Sequence, residues 1–400
     1  MIVSKRNQRL NKRKINIMES DVRRSNAPAY VTMLFFCLTG VVCGYFAVVL
    51  AKAIPIFGSF AGNIVFYSIA LLLWAVIALG LHSIIHEVGH LVFGLLSGYS
   101  FLSFRIFSLA LIKREAGFGF CRQKLPGTLG QCLMNPPKGE PYTEIPYKLY
   151  NLGGVIMNYI TAFICVIIVL FCKNSLAFAL LLIFAVQGIM LAITNGFPFK
   201  NTGLPNDGEN VRILSNSKIS RKAFIMQLEI NGALTGGKRL KDTPVEWFTL
   251  PDDADKNTIT CAIRTFAVGR LMDEGKTEDA RCLINTLLAD SQALIDIHKS
   301  QLSIELLYCE LVTENRDDEV KRLLSPYVKF AMKALSKLPS SIRTEYAYTL
   351  LHEHDEGKAE RLRAAFETVA KYYPYKGDIE TERELMNHAL DRFNGSKNKA

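Results

Sequence analysis

Five consecutive residues, His86-Glu87-Val88-Gly89-His90, carry the clearest chemistry in this sequence. Four residues of α-helix advance the chain by about 400°, so the two histidines share one face about 6 Å apart and can bind one zinc ion. Glu87 lies one position from that face, where it can take a proton from a metal-activated water. Each ionisable group inside a bilayer costs at least ~2.5 kcal/mol. Because the motif interrupts an apolar run, it predicts a zinc site with Glu87 as the catalytic residue.

A catalytic zinc ion needs a third protein ligand, and the sequence offers two candidates. His82 lies one turn before His86, but ligands on three consecutive turns of one straight helix cannot surround a tetrahedral metal. A supporting position beside the ligands therefore suits His82 better. Asp207 follows the last apolar run, in an irregular stretch rich in Gly and Pro, and such backbone at membrane depth usually lines a cavity. Asp207 is the favoured ligand, and the alternative is a simple turn before Gly208.

Four apolar runs of bilayer-spanning length must position these residues. About 20 helical residues cross a hydrocarbon core of about 30 Å. Hydrophobic residues make up 50% of the chain and charged residues 21%, which excludes a disordered protein. We therefore expect a mainly α, polytopic membrane protein; buried helices of a soluble protein rarely reach this length four times. The expected spans are residues 30–51, 64–97, 151–172 and 176–194.

The distribution of basic residues predicts the orientation. The net charge is +10, and residues 1–29 form a basic tail. Cytoplasmic loops of membrane proteins are enriched in Lys and Arg, so this tail and the loop after the second span should be cytoplasmic. An even number of spans then places both termini in the cytoplasm, in a multi-pass protein of the cell membrane. Nine cysteines without a CxxC pair indicate reduced thiols rather than a disulfide scaffold. The basic residues of the loop are Arg105, Lys113, Arg114, Arg122, Lys124 and Lys138.

Two further segments have their own patterns. Residues 101–107 and 109–120 read as two short strands of a small β-hairpin beside the membrane. Residues 271–280, 311–320 and 351–360 each resemble a helix end, a polar turn and a helix start, and they recur at about 40 residues. This period predicts a soluble C-terminal α-helical repeat domain, which loosely resembles tetratricopeptide-type repeats. The expected domains are a membrane-embedded metalloprotease domain over 30–212, a linker and connecting helix over 213–257, and the repeat domain over 258–394.

Three motifs together carry a family resemblance: HEVGH within a span, Gly154-x-x-x-Asn158 at the start of the next, and Asn195-x-x-Pro198 ahead of Asp207-Gly208. In combination they resemble the site-2 protease family of intramembrane zinc metalloproteases, over about residues 60–212. The resemblance implies that Zn²⁺ is held by His86, His90 and Asp207, and that Glu87 is the general base.

The same resemblance implies a substrate-binding role for Asn195, Pro198 and Asn158. It also implies that an extended substrate adds as a strand to a small sheet near the active site. The chain departs from the family pattern in a longer spacing between Asn195 and Asp207. It departs also in Asn206, which stands where the family has Leu.

The favoured function is an intramembrane zinc endopeptidase that cuts a membrane-embedded or membrane-adjacent segment of another protein. Two alternatives are a cytoplasm-facing membrane zincin that cuts soluble peptides, and a non-catalytic membrane-tethered helical-repeat scaffold. The expected partners are a membrane-protein substrate, the lipid bilayer, and a protein or second copy bound by the C-terminal helical domain. Nucleic acid is not expected, because Lys and Arg in that domain alternate with Asp and Glu.

Overall fold

The computed structural model describes residues 30–114, 117–122, 128–201 and 204–397. The basic tail over residues 1–29 and Lys124 of the basic loop lie outside these residues, so their predicted roles stay predictions. The chain forms two compact units. Of the described residues, one unit contains 30–89 together with 152–209, and the other contains 90–151 together with 210–397.

In the described part of the chain, four helices are long and apolar enough to cross a membrane: α1 (Tyr30–Ala53), α2 (Phe60–Leu96), α3 (Lys148–Phe171) and α4 (Ser175–Gly196). Uninterrupted runs of Leu, Ile, Val and Ala explain their length. Large apolar side chains remain exposed along them, and lipid can cover such a surface where water would not. The prediction of a mainly α chain with four helices that could span a membrane is confirmed.

Helices α1, α2 and α4 share one apolar core, in which small residues allow close packing. Trp74 of α2 donates from Nε1 to the carbonyl oxygen of Leu180 on α4, at 2.9 Å. The Oδ1 atom of Asn174 accepts from the backbone amides of Leu176 and Ala177 and so caps the start of α4. The core residues are Cys43, Phe46, Ala47, Leu50, Ala51, Tyr67, Leu71, Ala75, Ala179 and Ile183.

The segment between α2 and α3 forms an antiparallel sheet that is larger than the predicted hairpin. Its strands are β1 (Ser100–Ile106), β2 (Leu109–Arg114), β3 (Gly117–Arg122) and β4 (Gly130–Asn135). They lie in the order β3-β2-β1-β4. The second predicted strand is two strands, β2 and β3, and a fourth strand pairs with β1 from further along the chain. Arg105 of the basic loop is 2% exposed in this sheet and donates to the carbonyl oxygens of Phe107 and Gly130, so it is not a surface charge.

The sheet shares a core with a helix of the segment that was predicted to be a linker. Ile225 and Leu228 of helix α6 (Lys218–Thr235) pack with Cys132 and Met134 of β4. The sheet therefore belongs to the same compact unit as the C-terminal helices, whereas the predicted domain bounds group it with the spans. The short pair β5 (Lys200–Asn201) and β6 (Leu204–Pro205) and helix α5 (Asp207–Asn216) follow α4.

The C-terminal residues form eight helices, and the three quoted polar turns lie between the members of helix pairs. Residues 271–280, 311–320 and 351–360 join α7 to α8, α9 to α10 and α12 to α13. Whether these pairs constitute a repeat domain stays a prediction. The bounds are α7 (Thr258–Asp273), α8 (Thr277–Ala289), α9 (Asp296–Val312), α10 (Asp317–Leu323), α11 (Pro326–Ala334), α12 (Pro339–Leu351), α13 (Glu356–Tyr372) and α14 (Lys376–Lys397).

Candidate metal centre

The HEVGH motif lies in the last third of α2, a helix of 37 residues. At 1.5 Å per residue this helix is about 55 Å long, well beyond a hydrocarbon core of about 30 Å. It contains no proline, so the helix continues through the motif and presents His86 and His90 from consecutive turns. Glu87 follows His86 and is only 9% exposed. The helical geometry expected from the spacing is therefore present.

Asp207 is the first residue of α5, and its carboxylate lies against the histidine motif although the two are distant in sequence. Its Oδ2 is 3.0 Å from Nε2 of His86. Both side chains are largely buried, with exposures of 18% for Asp207 and 12% for His86. Burying a carboxylate this close to an imidazole costs desolvation free energy unless a proton or a metal ion lies between the two groups.

His86, His90 and Asp207 together form a cluster that could hold a metal ion, since one ligand atom from each lies within 4.8 Å of the others. Donors about 2.0–2.1 Å from one zinc ion at tetrahedral angles lie about 3.4 Å apart. The cluster therefore fits a tetrahedral metal after small adjustments. Two imidazoles and a carboxylate suit zinc, but this donor set also binds other divalent transition metals.

His90 is held in the form that a metal ligand requires. Its Nδ1 lies 2.8 Å from the carbonyl oxygen of Tyr150, which can only accept, so Nδ1 carries the proton and Nε2 keeps its lone pair. Tyr150 is in turn held on the sheet, because its hydroxyl donates to the carbonyl oxygen of Cys132 at 2.9 Å and its ring stacks on Tyr99. Burial raises the pKa of the Tyr99 hydroxyl, which donates to the carbonyl oxygen of Pro146. The sheet thus fixes the orientation of His90.

Helix α3 supports His86 through the Gly154-x-x-x-Asn158 pair. A Cβ atom at Gly154 would lie 2.5 Å from two atoms of the His86 ring, so only glycine leaves room for this imidazole. One turn later the Asn158 amide lies 3.2 Å from Nδ1 of His86, and Asn158 is fully buried. The structure therefore brings Asn158 to a metal-ligand candidate. Its substrate-binding role stays a prediction.

Two neighbours of Asp207 fix its position. The side chain of Asn206 accepts from the backbone amide of Glu209 at 2.9 Å, which caps the start of α5. Its Nδ2 also donates to the carbonyl oxygens of Thr194 at 2.8 Å and Phe197 at 2.6 Å, at the end of α4. A Cβ at Gly208 would lie 2.1 Å from the carbonyl oxygen of Gly196. Asp207 is thus fastened to the end of α4 on both sides.

The other two predicted substrate-binding residues lie at the end of α4. Asn195 is partly buried, and its Nδ2 donates to the carbonyl oxygen of Leu191 in its own helix, at 2.9 Å. Pro198 is exposed just beyond the helix. The contacts described for these residues do not join them to the metal cluster, and their substrate role stays a prediction.

Asn206 and Tyr150 contribute to the site although no role is predicted for them from the sequence. Asn206 had a local signal, because Asn before Asp-Gly-Glu is a typical helix N-cap with acidic residues in the first turn. Tyr150 had none, because its part in the site is made by a backbone carbonyl.

Comparison of the chain with protein-family models, with curated proteins and with solved structures finds no match.

Proposed function

We propose that this protein is an intramembrane zinc metalloendopeptidase that hydrolyses peptide bonds in or next to transmembrane segments of other membrane proteins. The observation that carries the proposal is the convergence of His86, His90 and Asp207 from α2 and from the segment after α4. A metal-ligand set between apolar helices has a desolvation cost that a purely structural role does not offset. The motifs that resemble the site-2 protease family support the same function.

Each residue of the site has a role in this proposal. His86, His90 and Asp207 hold Zn²⁺, which when bound supplies the Lewis acidity that activates a water molecule and polarises a peptide carbonyl. Glu87, one residue from His86 and buried at 9% exposure, accepts a proton from the attacking water and returns it to the leaving amine. Asn158 and Tyr150 orient the two imidazoles.

The proposed substrate reaches the site as an extended segment. A transmembrane helix has all its backbone amides satisfied, so it must unwind before its carbonyl can be attacked. Strand β3 ends the described sheet, and its Phe118 and Phe120 side chains are 68% and 71% exposed. An edge strand of this kind can accept an extended peptide by main-chain hydrogen bonds.

The protein is proposed to be a multi-pass protein of the cell membrane with both termini in the cytoplasm. The support is the excess of Lys and Arg in the tail and in the loop between α2 and α3. Reporter fusions at the C-terminus and in the loop after β4 measure this directly. Reporters on opposite sides of the membrane would exclude the proposed topology.

The C-terminal helices are proposed to act as a cytoplasmic recognition or regulatory module without chemistry of its own. Helices α7 to α14 share one extended apolar core, and stacked helical pairs usually present a groove to a peptide or to another copy. Truncation before α7 should keep zinc bound but change which substrates are cut. Loss of zinc from the truncated protein would instead indicate a structural role.

The central test combines metal content with cleavage. His86→Ala and Asp207→Ala should abolish stoichiometric zinc, while Glu87→Gln should keep zinc and lose cleavage of a single-span membrane protein. His388→Ala, which changes an exposed histidine on α14, is the matched control and should keep both. Full zinc occupancy in Asp207→Ala, or wild-type cleavage by Glu87→Gln, would reject the proposal. Cleavage of a soluble peptide but of no membrane segment would favour the soluble-peptide alternative.

A further inference from the structure

His82 lies one turn before His86 on α2, is fully buried, and touches no ligand of the metal cluster in any described contact. Its ring packs on Phe184 of α4 at 4.0 Å between centroids. Its Nε2 lies 2.8 Å from the carbonyl oxygen of Phe184. A carbonyl oxygen only accepts hydrogen bonds, so Nε2 of His82 carries a proton.

The other ring nitrogen of His82 faces the amide of Asn158. The Oδ1 position of that amide is 3.4 Å from Nδ1 of His82, and its Nδ2 position is 3.2 Å from Nδ1 of His86. Asn158 is therefore the bridge between a histidine outside the cluster and a histidine inside it. Rotating the amide by 180° exchanges oxygen and nitrogen at these two positions without moving any other atom.

The charge state of His82 decides between the two amide orientations. A neutral His82 with its proton on Nε2 offers a lone pair at Nδ1, and this lone pair needs a donor, which is the NH₂ group of Asn158. The opposite orientation, in which the structure records the amide, places Oδ1 3.4 Å from Nδ1 of His82 and demands a second proton on His82. That proton would create a buried imidazolium among apolar helices, with only neutral partners in the described contacts.

The orientation that His82 selects has a consequence for His86. With the NH₂ group turned to His82, the amide oxygen faces Nδ1 of His86 and holds the proton of His86 on that nitrogen. Nε2 of His86, the atom 3.0 Å from Asp207, then keeps its lone pair for a metal. The other amide orientation would place a donor against Nδ1 and leave the proton on Nε2, where it blocks metal binding.

We propose that His82 is a positioning residue that sets the tautomer of His86 through the side chain of Asn158, so that Nε2 of His86 is available to the metal. This inference rests on the proposed metal site. His90 reaches the same tautomer by a direct hydrogen bond to the Tyr150 carbonyl, whereas His86, which has an amide as its neighbour, needs His82 to orient that amide. Gly188 maintains the arrangement, because a Cβ there would lie 2.5 Å from the His82 ring.

The first test reads the tautomer of His82 in the wild-type protein. Zinc-loaded wild-type protein with ¹⁵N-labelled histidine is examined by NMR in detergent, with the His82 signals assigned by their absence from His82→Phe. The expected result is a neutral His82 with the proton on Nε2 and a non-protonated Nδ1. A His82 protonated on Nδ1, in either the neutral or the charged form, would overturn the inference.

The second test measures zinc affinity by competition with a chromogenic chelator. His82→Phe keeps a planar ring against Phe184 but removes the acceptor for the amide, and it should lower zinc affinity by about 10–100-fold. Asn158→Leu should lower zinc affinity similarly. The double variant should bind zinc no more weakly than whichever single variant has the lower affinity. Ser83→Ala is the matched control, because this neighbouring hydroxyl donates only to the Leu79 carbonyl in the contacts described.

The outcomes separate this inference from the proposed function. Wild-type protein that binds no zinc would remove the basis of both. Zinc binding with a Glu87-dependent cleavage, but with unchanged affinity in His82→Phe, would refute only the role of His82. Fully additive losses in the double variant would likewise show that His82 and Asn158 do not act as one unit.

Discussion

Substitution of Gly208 by Ala should detach the third ligand from the site while leaving the fold intact. The added Cβ would lie 2.1 Å from the carbonyl oxygen of Gly196 and 2.7 Å from its carbonyl carbon. Real Cβ atoms keep at least about 3.0 Å, so the start of α5 must move by about 0.9 Å or more. Both clashing atoms are backbone, which cannot rotate away as a side chain could.

The expected effect on zinc follows from this displacement. Metal–ligand distances tolerate only about 0.2 Å, and Asp207 immediately precedes Gly208. Zinc affinity should therefore fall at least about 100-fold, which corresponds to about 2.8 kcal/mol at 1.4 kcal/mol per factor of ten. Ala is the better helix former by about 1 kcal/mol, so without the clash this substitution would instead stabilise α5.

Purified protein in detergent allows the measurement. Zinc affinity is obtained by chelator competition, and helix content by circular dichroism shows whether the variant is folded. Gly44→Ala on α1 is the control, because a Cβ there meets nothing within 4 Å. A folded Gly208→Ala protein with wild-type zinc affinity would refute the argument that the close approach to Gly196 positions Asp207.

Three further predictions concern other parts of the chain. Asn206→Leu introduces the residue of the resembled family and removes the cap of α5 and both hydrogen bonds to the end of α4. Zinc affinity should therefore fall about 10–100-fold in the same competition assay. An unchanged affinity would show that α5 is held by other contacts. Arg343 is 1% exposed and donates to the carboxylates of Glu305 and Glu382. Arg343→Met should lower the free energy of unfolding of the C-terminal helices by about 3–5 kcal/mol in denaturant unfolding. A decrease below about 1 kcal/mol would mean that the two carboxylates find other partners. Burial, and then the neighbouring Glu382 carboxylate, raise the pKa of Asp378 to about 7. The contribution of Asp378 to stability is therefore greatest below about pH 4 and decreases as the pH rises towards 7; Asp378→Asn should remove that decrease in thermal unfolding.

The four long apolar helices and the pairing of His86 with His90 on one helix could be predicted because their signals are local. Apolar runs of spanning length, and two histidines four residues apart, need no knowledge of the rest of the fold. Asp207 was predicted because an acidic residue in an irregular segment after a span has few structural explanations. The structure places its carboxylate against His86, while the binding of zinc itself stays a prediction.

The sheet was only partly predicted because one strand has a weak signal. Strand β4 has the sequence Gly-Gln-Cys-Leu-Met-Asn, which contains no β-branched or aromatic residue. It forms because β1 offers it a pairing edge and because Ile225 and Leu228 of α6 cover Cys132 and Met134. Both reasons are long-range contacts that no local pattern contains.

The contact of Asn158 could not be predicted for a related reason. Its spacing from Gly154 shows that the two share a face of α3, but it does not show which helix that face meets. Only the packing of α2 and α4 around α3 brings His82 and His86 to the same amide. The contact with His82 and His86 is therefore a finding of the packing, and the substrate role that the resemblance implies for Asn158 stays a prediction.

The distance in sequence between the histidines and Asp207 has a consequence for how the protein is made. Ribosomes add about 5–20 residues per second, so Asp207 is synthesised about 6–23 s after His90. During that interval α3 and α4 are being inserted, and the two histidines lack the carboxylate that completes the metal site. The site is therefore finished only after all four apolar helices have been synthesised, and a nascent chain that stalls before α5 carries the HEVGH motif without the third ligand. If the proposed ligands hold metal, biogenesis itself delays the capacity to bind it until all four apolar helices have been made.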